Sequence, residues 1–224
     1  MNESPVITVD GPSGSGKGTV SLQLADTLGW HHLDSGALYR LLAYAALKNA
    51  LALDDEAALL ALVDQLSASY RLPTRAQPSI MLDGEDVGQL LRSEDCGNAA
   101  SRVAALPVVR QAMLAWQRSY RQPPGLVADG RDMGTVVFPT AGLKLYLTAR
   151  PAVRAQRRYK QLKDMGKKPD LAELTRAVEA RDRRDSTREA SPLRPAGDAL
   201  VIDNSDLDEA ATLAVVLQAV HARY

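Results

Sequence analysis

Short apolar runs and longer amphipathic stretches take turns along the chain. Val6–Val9, Trp30–Leu33, Leu126–Ala128, Leu143–Leu147 and Leu200–Ile202 are brief and rich in β-formers, and most are bounded by Gly, Pro, Asp or Asn. Runs of that kind read as buried parallel strands, which have no polar face to show. Helical patterns lie between them. A loop from Gly11 passes into a helix that ends near Leu28, with Gly29 as its stop signal. The last helix, beginning after Asp206, carries Leu213, Val216, Leu217 and Val220 on one stripe. The alternation predicts an α/β fold around a parallel sheet.

One stretch breaks the rhythm. Residues 34–125 are too many for a single crossover helix. Within them, Ser69–Leu72 and Ser79–Leu82 resemble the two strands of a hairpin, and Asp83-Gly84 is a turn signal. Helical patterns at Asp54–Leu66 and Val108–Tyr120 flank the pair. An inserted α+β lobe accounts for the whole stretch. Gln122-Pro123-Pro124-Gly125 then reads as a loop breaker.

Composition narrows the function. With 27 basic and 27 acidic residues there is no net field to recruit nucleic acid or an anionic membrane. No apolar run approaches membrane-spanning length, and Met1-Asn2-Glu3-Ser4 lacks the basic and apolar regions of an export signal. Cys96 is the single cysteine, so no internal disulfide forms, and a reducing, cytoplasmic setting is expected. Of the cations, 20 are Arg and 7 are Lys. Arginine is the residue that grips phosphate in a bidentate way, although an Arg-favouring genome produces the same bias.

The sharpest motif is Gly11-Pro12-Ser13-Gly14-Ser15-Gly16-Lys17-Gly18-Thr19, which fits G-x-x-x-x-G-K between a strand and a helix. A glycine-rich turn can aim several backbone N–H groups at a phosphate without Cβ clashes. The following helix N-terminus adds partial positive charge, and Lys17 adds a full one. Gly18 occupies the position where a Ser or Thr usually holds magnesium, so that hydroxyl falls to Thr19 or is replaced by water. No N-K-x-D guanine motif is present. The pattern favours a small-molecule kinase over a GTPase switch.

A phosphate acceptor must be pressed against the triphosphate, and fixed cations have to offset the repulsion. A monophosphate, with a second pKa of about 6, is mostly dianionic at neutral pH and needs no general base. Arginines, not a catalytic histidine, are therefore the residues to look for. His31, His32 and His221 sit in no triad-like setting. Arg40 follows Asp34-Ser35-Gly36-Ala37. Arg131 and Asp132 sit between glycines, in Asp129–Thr135 at a strand end, where open α/β sheets bind ligands. Arg154, Arg157, Arg158 and Gln161 share one helix face ahead of Gly166-Lys167-Lys168-Pro169, and Arg181, Asp185 and Arg188 share another. Taken alone, each helical face is equally compatible with ordinary solvent-exposed ion pairs.

Together Gly11–Thr19, Asp34-Ser35-Gly36-Ala37 with Tyr39-Arg40, Asn98-Ala99-Ala100-Ser101, Asp129–Thr135 and Arg181-Asp182-Arg183-Arg184-Asp185 resemble the bacterial cytidylate kinases, a branch of the nucleoside monophosphate kinases. The resemblance spans essentially the whole chain. It implies a single P-loop kinase domain over 1–224, with a five-stranded parallel sheet flanked by helices. A monophosphate-binding lobe is expected at about 62–106 and a short lid at about 154–170. The implied reaction moves the ATP γ-phosphoryl group to CMP or dCMP, with magnesium, giving CDP or dCDP. Gly11 to Thr19 would bind ATP, and Lys17, Arg131, Arg154, Arg157 and Arg158 would act on the transferring group. Arg40, Arg131 and Arg188 would hold the acceptor phosphate, with Ser35 in the same site. Ser101, Arg110 and Asp132 would read cytosine, and Arg181 with Asp185 would meet the sugar. Thr19 is the metal candidate. A monomer with no nucleic-acid or membrane partner is expected, whose lid and lobe close on substrate. The alternatives are another acceptor (UMP, dTMP or a small metabolite) and a nucleotide-binding module that transfers nothing.

Overall fold

The computed structural model describes residues 3–69 and 80–224. They fall into two compact units, Leu33–Ser119 and the remainder, Met1–His32 with Tyr120–Tyr224.

The larger unit is built on a five-stranded sheet. Its strands are β1 (Val6–Asp10), β2 (His31–Asp34), β5 (Leu126–Gly130), β6 (Leu143–Thr148) and β7 (Leu200–Asp203), ordered β2-β5-β1-β6-β7. β1 runs parallel to both β5 and β6, and β6 runs parallel to β7. Every residue of β1 and β5 is buried, which is why these strands read as mainly apolar, with Thr8, Asp10 and Asp129 the buried polar exceptions. The helices are α1 (Lys17–Leu28), α7 (Pro151–Asp164), α8 (Leu171–Thr187) and α9 (Glu209–His221). Val20 and Leu24 of α1 and Val216 and Val220 of α9 pack with Ile7, Val9, Val127, Leu145 and Ile202 into one core. Gly29 ends α1 at φ 66°, donating its N–H to the Ala25 and Asp26 carbonyls. That is the left-handed stop its sequence position suggests. Among the described residues, no helix is long and apolar enough to cross a membrane.

The second unit is mainly helical: α2 (Ser35–Lys48), α3 (Glu56–Ser69), α4 (Gly88–Leu91), α5 (Glu94–Val103) and α6 (Pro107–Arg118). α2 is its centre, with Leu38, Leu41, Leu42, Ala43, Ala45 and Ala46 all buried, and it packs on α3, α4 and α5. Asp34 caps it, accepting the Ala37 N–H at 2.9 Å. α3 also packs against α6.

Three local expectations change. The hairpin joins β3 (Met81–Leu82) to β4 (Glu85–Asp86) across Asp83 and Gly84, whose φ values of 50° and 83° suit a tight two-residue turn. Its second strand therefore follows the turn. Ser69 ends α3, and residues 70–79 lie outside the described residues. Asp129 and Gly130 lie within β5, and Met133–Val137 form a π-helical turn rather than an open loop. Arg188 is the C-cap of α8 in extended conformation (φ −62°, ψ 143°), so it leaves the helical face of Arg181 and Asp185.

Candidate active site

The glycine loop leaves β1 at Gly11, where φ is 154° and an added Cβ would lie 2.0 Å from the Leu147 carbonyl oxygen. Gly14 and Gly16 also have positive φ, 76° and 83°, and Gly16 caps α1. Side chains from elsewhere hold the loop's carbonyls. Lys17 Nζ donates to Pro12 O at 3.3 Å, Arg154 Nη1 to Ser13 O at 3.0 Å, and Asn204 Nδ2 to Ser15 O at 2.9 Å. Carbonyls turned to these donors leave the N–H groups of the nest and of the α1 N-terminus for an anion. Gly18 is less constrained, since a Cβ there meets nothing within 4 Å. Thr19 is exposed on the first turn of α1.

A second feature of the same unit gathers arginines about one acid. Asp185 is buried and accepts from Arg131 Nε at 2.9 Å. Burial pushes its pKa up, but the charges of Arg131, Arg181 and Arg188 outweigh that and hold it below the ordinary carboxylate range. Arg131 also donates to Gly130 O at 3.2 Å, and Arg188 Nε to Ser191 O at 2.7 Å. Arg131, Arg181 and Arg188 thus all act electrostatically on Asp185, and Arg131 is paired with it directly.

All three arginines of the α7 face have protein partners. Arg154, 3% exposed, donates to Ala149 O at 2.8 Å and pairs through both terminal nitrogens with Asp182. Arg157 donates to Asn204 Oδ1 at 3.1 Å, to Asn204 O at 2.8 Å and to Leu207 O at 3.3 Å. Arg158, half-buried, donates to Gln161 Oε1 at 2.6 Å. The three share a helix face yet meet different partners, so this state does not present them as one cluster.

In the second unit, Arg40 Nη1 donates to Leu91 O at 3.3 Å, and Arg110 Nη1 to Ala104 O at 3.0 Å. Arg110 also stacks over the Tyr39 ring, 5.5 Å from its centroid. Ser35 Oγ accepts from Gln117 Nε2 at 2.9 Å. Ser101 Oγ is buried and makes no hydrogen bond among the described residues. An orphan hydroxyl of that kind is costly unless a ligand completes it.

Three contributors escaped the sequence reading. Asp10, the last residue of β1, accepts the Met133 and Gly134 N–H groups, both at 2.8 Å. An acid closing an apolar strand was the available signal. Asn204 links the glycine loop to Arg157, and Asp182 fixes Arg154; only tertiary pairing reveals either. The histidines have structural partners or none of catalytic type: His31 meets Pro123 O at 2.9 Å and His32 meets Asp129 at 3.0 Å, while His221 is exposed at the end of α9. Among the described residues, no three His, Cys, Asp or Glu side chains gather as a metal site. A magnesium ion here would rely on phosphate oxygens and water, which suits an ion that retains its waters, with the Thr19 hydroxyl as the candidate protein donor.

Comparison with known proteins adds independent observations. The family model described as Cytidylate kinase matches residues 7–222. The cytidylate kinase of Methylococcus capsulatus is 52% identical over 218 residues, covering 97% of each chain. That of Aeromonas salmonicida is 51% identical over 214 residues, covering 96% of this chain and 93% of the relative. The solved structure of an uncharacterized protein from Eubacterium ventriosum aligns over 99% of this chain and 100% of its own with a TM-score of 0.52. At 12% identity it speaks to the fold alone.

Proposed function

Because the chain belongs to the cytidylate kinase family, we propose that it transfers the ATP γ-phosphoryl group to CMP or dCMP, releasing ADP and CDP or dCDP. The observation that carries the reading is the grouping of Arg131, Arg181 and Arg188 about buried Asp185, in the same compact unit as the glycine loop. A phosphate acceptor demands such cations, because two polyanions must meet.

In this reading the loop N–H groups and Lys17 bind the ATP phosphates. Arg131 and Arg188 bind the acceptor phosphate, whose dianion is the nucleophile. Its oxygen forms the new P–O bond as the β–γ bridging bond breaks and ADP leaves. Arg181 and Asp185 meet the sugar. Asp132 accepts from the cytosine amino group, where uracil would present a second acceptor. Ser101 and Arg110 supply the remaining polar contacts to the base, and the buried, unpartnered Ser101 hydroxyl supports this. Magnesium, once bound with ATP, neutralises charge on the phosphates.

Arg154 belongs to the loop's support through Ser13. Arg157 has to exchange Asn204 for phosphate if it is to act on the transferring group, which makes a lid at about 154–170 a moving part. The reading sets the chain in the cytoplasm, as a monomer acting on free nucleotides.

Replacing Arg131 or Arg188 with Ala tests the proposal. CMP-dependent ATP consumption should fall about 10²-fold or more, the scale for losing one preorganised donor to a developing charge. Unchanged consumption would favour a nucleotide-binding module over a kinase.

A further inference from the structure

The π-helical turn at Met133–Val137 begins in an unusual way. Its first residues need acceptors for their N–H groups, as every helix start does. The preceding residue normally supplies one through its side chain. That residue here is Asp132, and its side chain makes no cap. Asp10 serves instead, from a position 123 and 124 residues away in sequence. One of its carboxylate oxygens takes the Met133 N–H and the other takes the Gly134 N–H, each at 2.8 Å. Asp10 lies opposite Gly130 across the β1–β5 ladder, and its side chain reaches the N–H groups that follow Arg131 and Asp132 at the exit of β5. It is also the residue directly before Gly11 of the glycine loop.

We infer that Asp10 is a positioning residue for the acceptor: it caps the turn from outside, ties the Arg131-Asp132 segment to the strand that carries the ATP loop, and relieves Asp132 of capping. This rests on the reading of Arg131 and Asp132 as acceptor-binding residues. Gly134 must be glycine for the same arrangement, since a Cβ there would lie 2.8 Å from Thr8 Oγ1 and about as close to the Lys144 side chain as packing allows.

Only the carboxylate can accept both N–H groups without a proton opposing one of them. Burial raises the Asp10 pKa to about 7, although the Gly134 and Met133 N–H groups pull it down. Asp132 raises it further and Arg131 lowers it. Among the described residues, Tyr146 of β6 has its phenol held above its ordinary range by burial, and the Asp10 charge adds to this. Acidification through neutrality should therefore loosen the acceptor segment and leave the glycine loop intact.

The experiment compares the wild type with Asp10→Asn, a close isostere that offers one acceptor and one opposing donor. At about pH 8 the variant should raise the KM for CMP about 10-fold, while the ATP dissociation constant measured without CMP changes less than about two-fold. The gap should close towards unity at about pH 6, where the wild-type carboxyl is itself protonated. In the wild type, the inhibition constant of cytidine, which has no phosphate to titrate, should weaken about five- to ten-fold between those pH values. If Asp10→Asn does not fold, this wild-type profile decides the matter. A flat cytidine profile, or ATP affinity and CMP KM shifting together, would overturn the inference. Failure of wild-type protein to use CMP at all would instead overturn the proposed function.

Discussion

The buried carboxylate of Asp10 should leave a signature on folding stability, separate from its effect on substrate. Its pKa rises from 3.8 to about 7 in the folded chain, chiefly through desolvation. The folded state therefore holds this proton more tightly than the unfolded chain does. Between those two values stability must fall as pH rises; above about 7 and below 3.8 the contribution is flat. At about 1.4 kcal/mol per pH unit, the full window amounts to about 4 kcal/mol. Ionised Asp10 thus destabilises the fold, a cost that is set against its capping of the Met133–Val137 turn. Asp185 titrates with the opposite sign, since its folded pKa is depressed. A difference between wild type and Asp10→Asn removes that contribution. Urea unfolding from about pH 4.5 to pH 7.5 measures it, followed by Trp30 fluorescence in a Trp116→Phe background. Trp30 lies in the larger unit and Trp116 in the other, so the signal follows the unit that contains Asp10. The wild-type advantage over Asp10→Asn should shrink by several kcal/mol across this range. A constant difference, or one that grows with pH, would refute the reasoning.

The glycine loop makes two predictions of opposite sign. Gly11→Ala places a Cβ 2.0 Å from Leu147 O at a φ few side chains adopt, so thermal unfolding should show a loss of about 3 kcal/mol or more. Gly18→Ala sits in open space on a helix and should gain about 0.5 kcal/mol in the same assay. Asn204→Ala removes the donor from the Ser15 carbonyl and the acceptor of Arg157. It should raise the KM for ATP about 10-fold and leave that for CMP nearly unchanged. Leu24→Ala opens a cavity in a fully buried part of the core, and denaturant unfolding should register a loss of about 2 to 5 kcal/mol.

Local physics made much of this molecule readable from its residues. The inner strands were visible because burial on both faces leaves mainly apolar runs, as at Val6–Asp10 and Leu126–Gly130; β7 at the sheet edge is instead largely exposed, with Leu200 and Val201 outside the core. Gly29 and Asp83-Gly84 were visible because each meets a backbone demand within its own turn. α5 carries a local start signal, Ser93 accepting the Cys96 N–H with acidic Glu94 and Asp95 in the first turn, but a weakly apolar body. Distant pairing was invisible. Helical spacing puts Arg154 with Arg157 and Arg158, but nothing local says that Asp182 and the Ser13 carbonyl claim its guanidinium. The π turn at Met133 likewise depends on an acceptor from another strand.

The most direct test of the central claim is an acceptor series at fixed ATP, measuring kcat/KM for CMP, dCMP, UMP and dTMP. The proposed contact of Asp132 with the base edge predicts CMP or dCMP at the head of the series, with UMP at least about 10-fold lower, the scale of one mismatched buried polar contact. UMP or dTMP at the head would contradict the account.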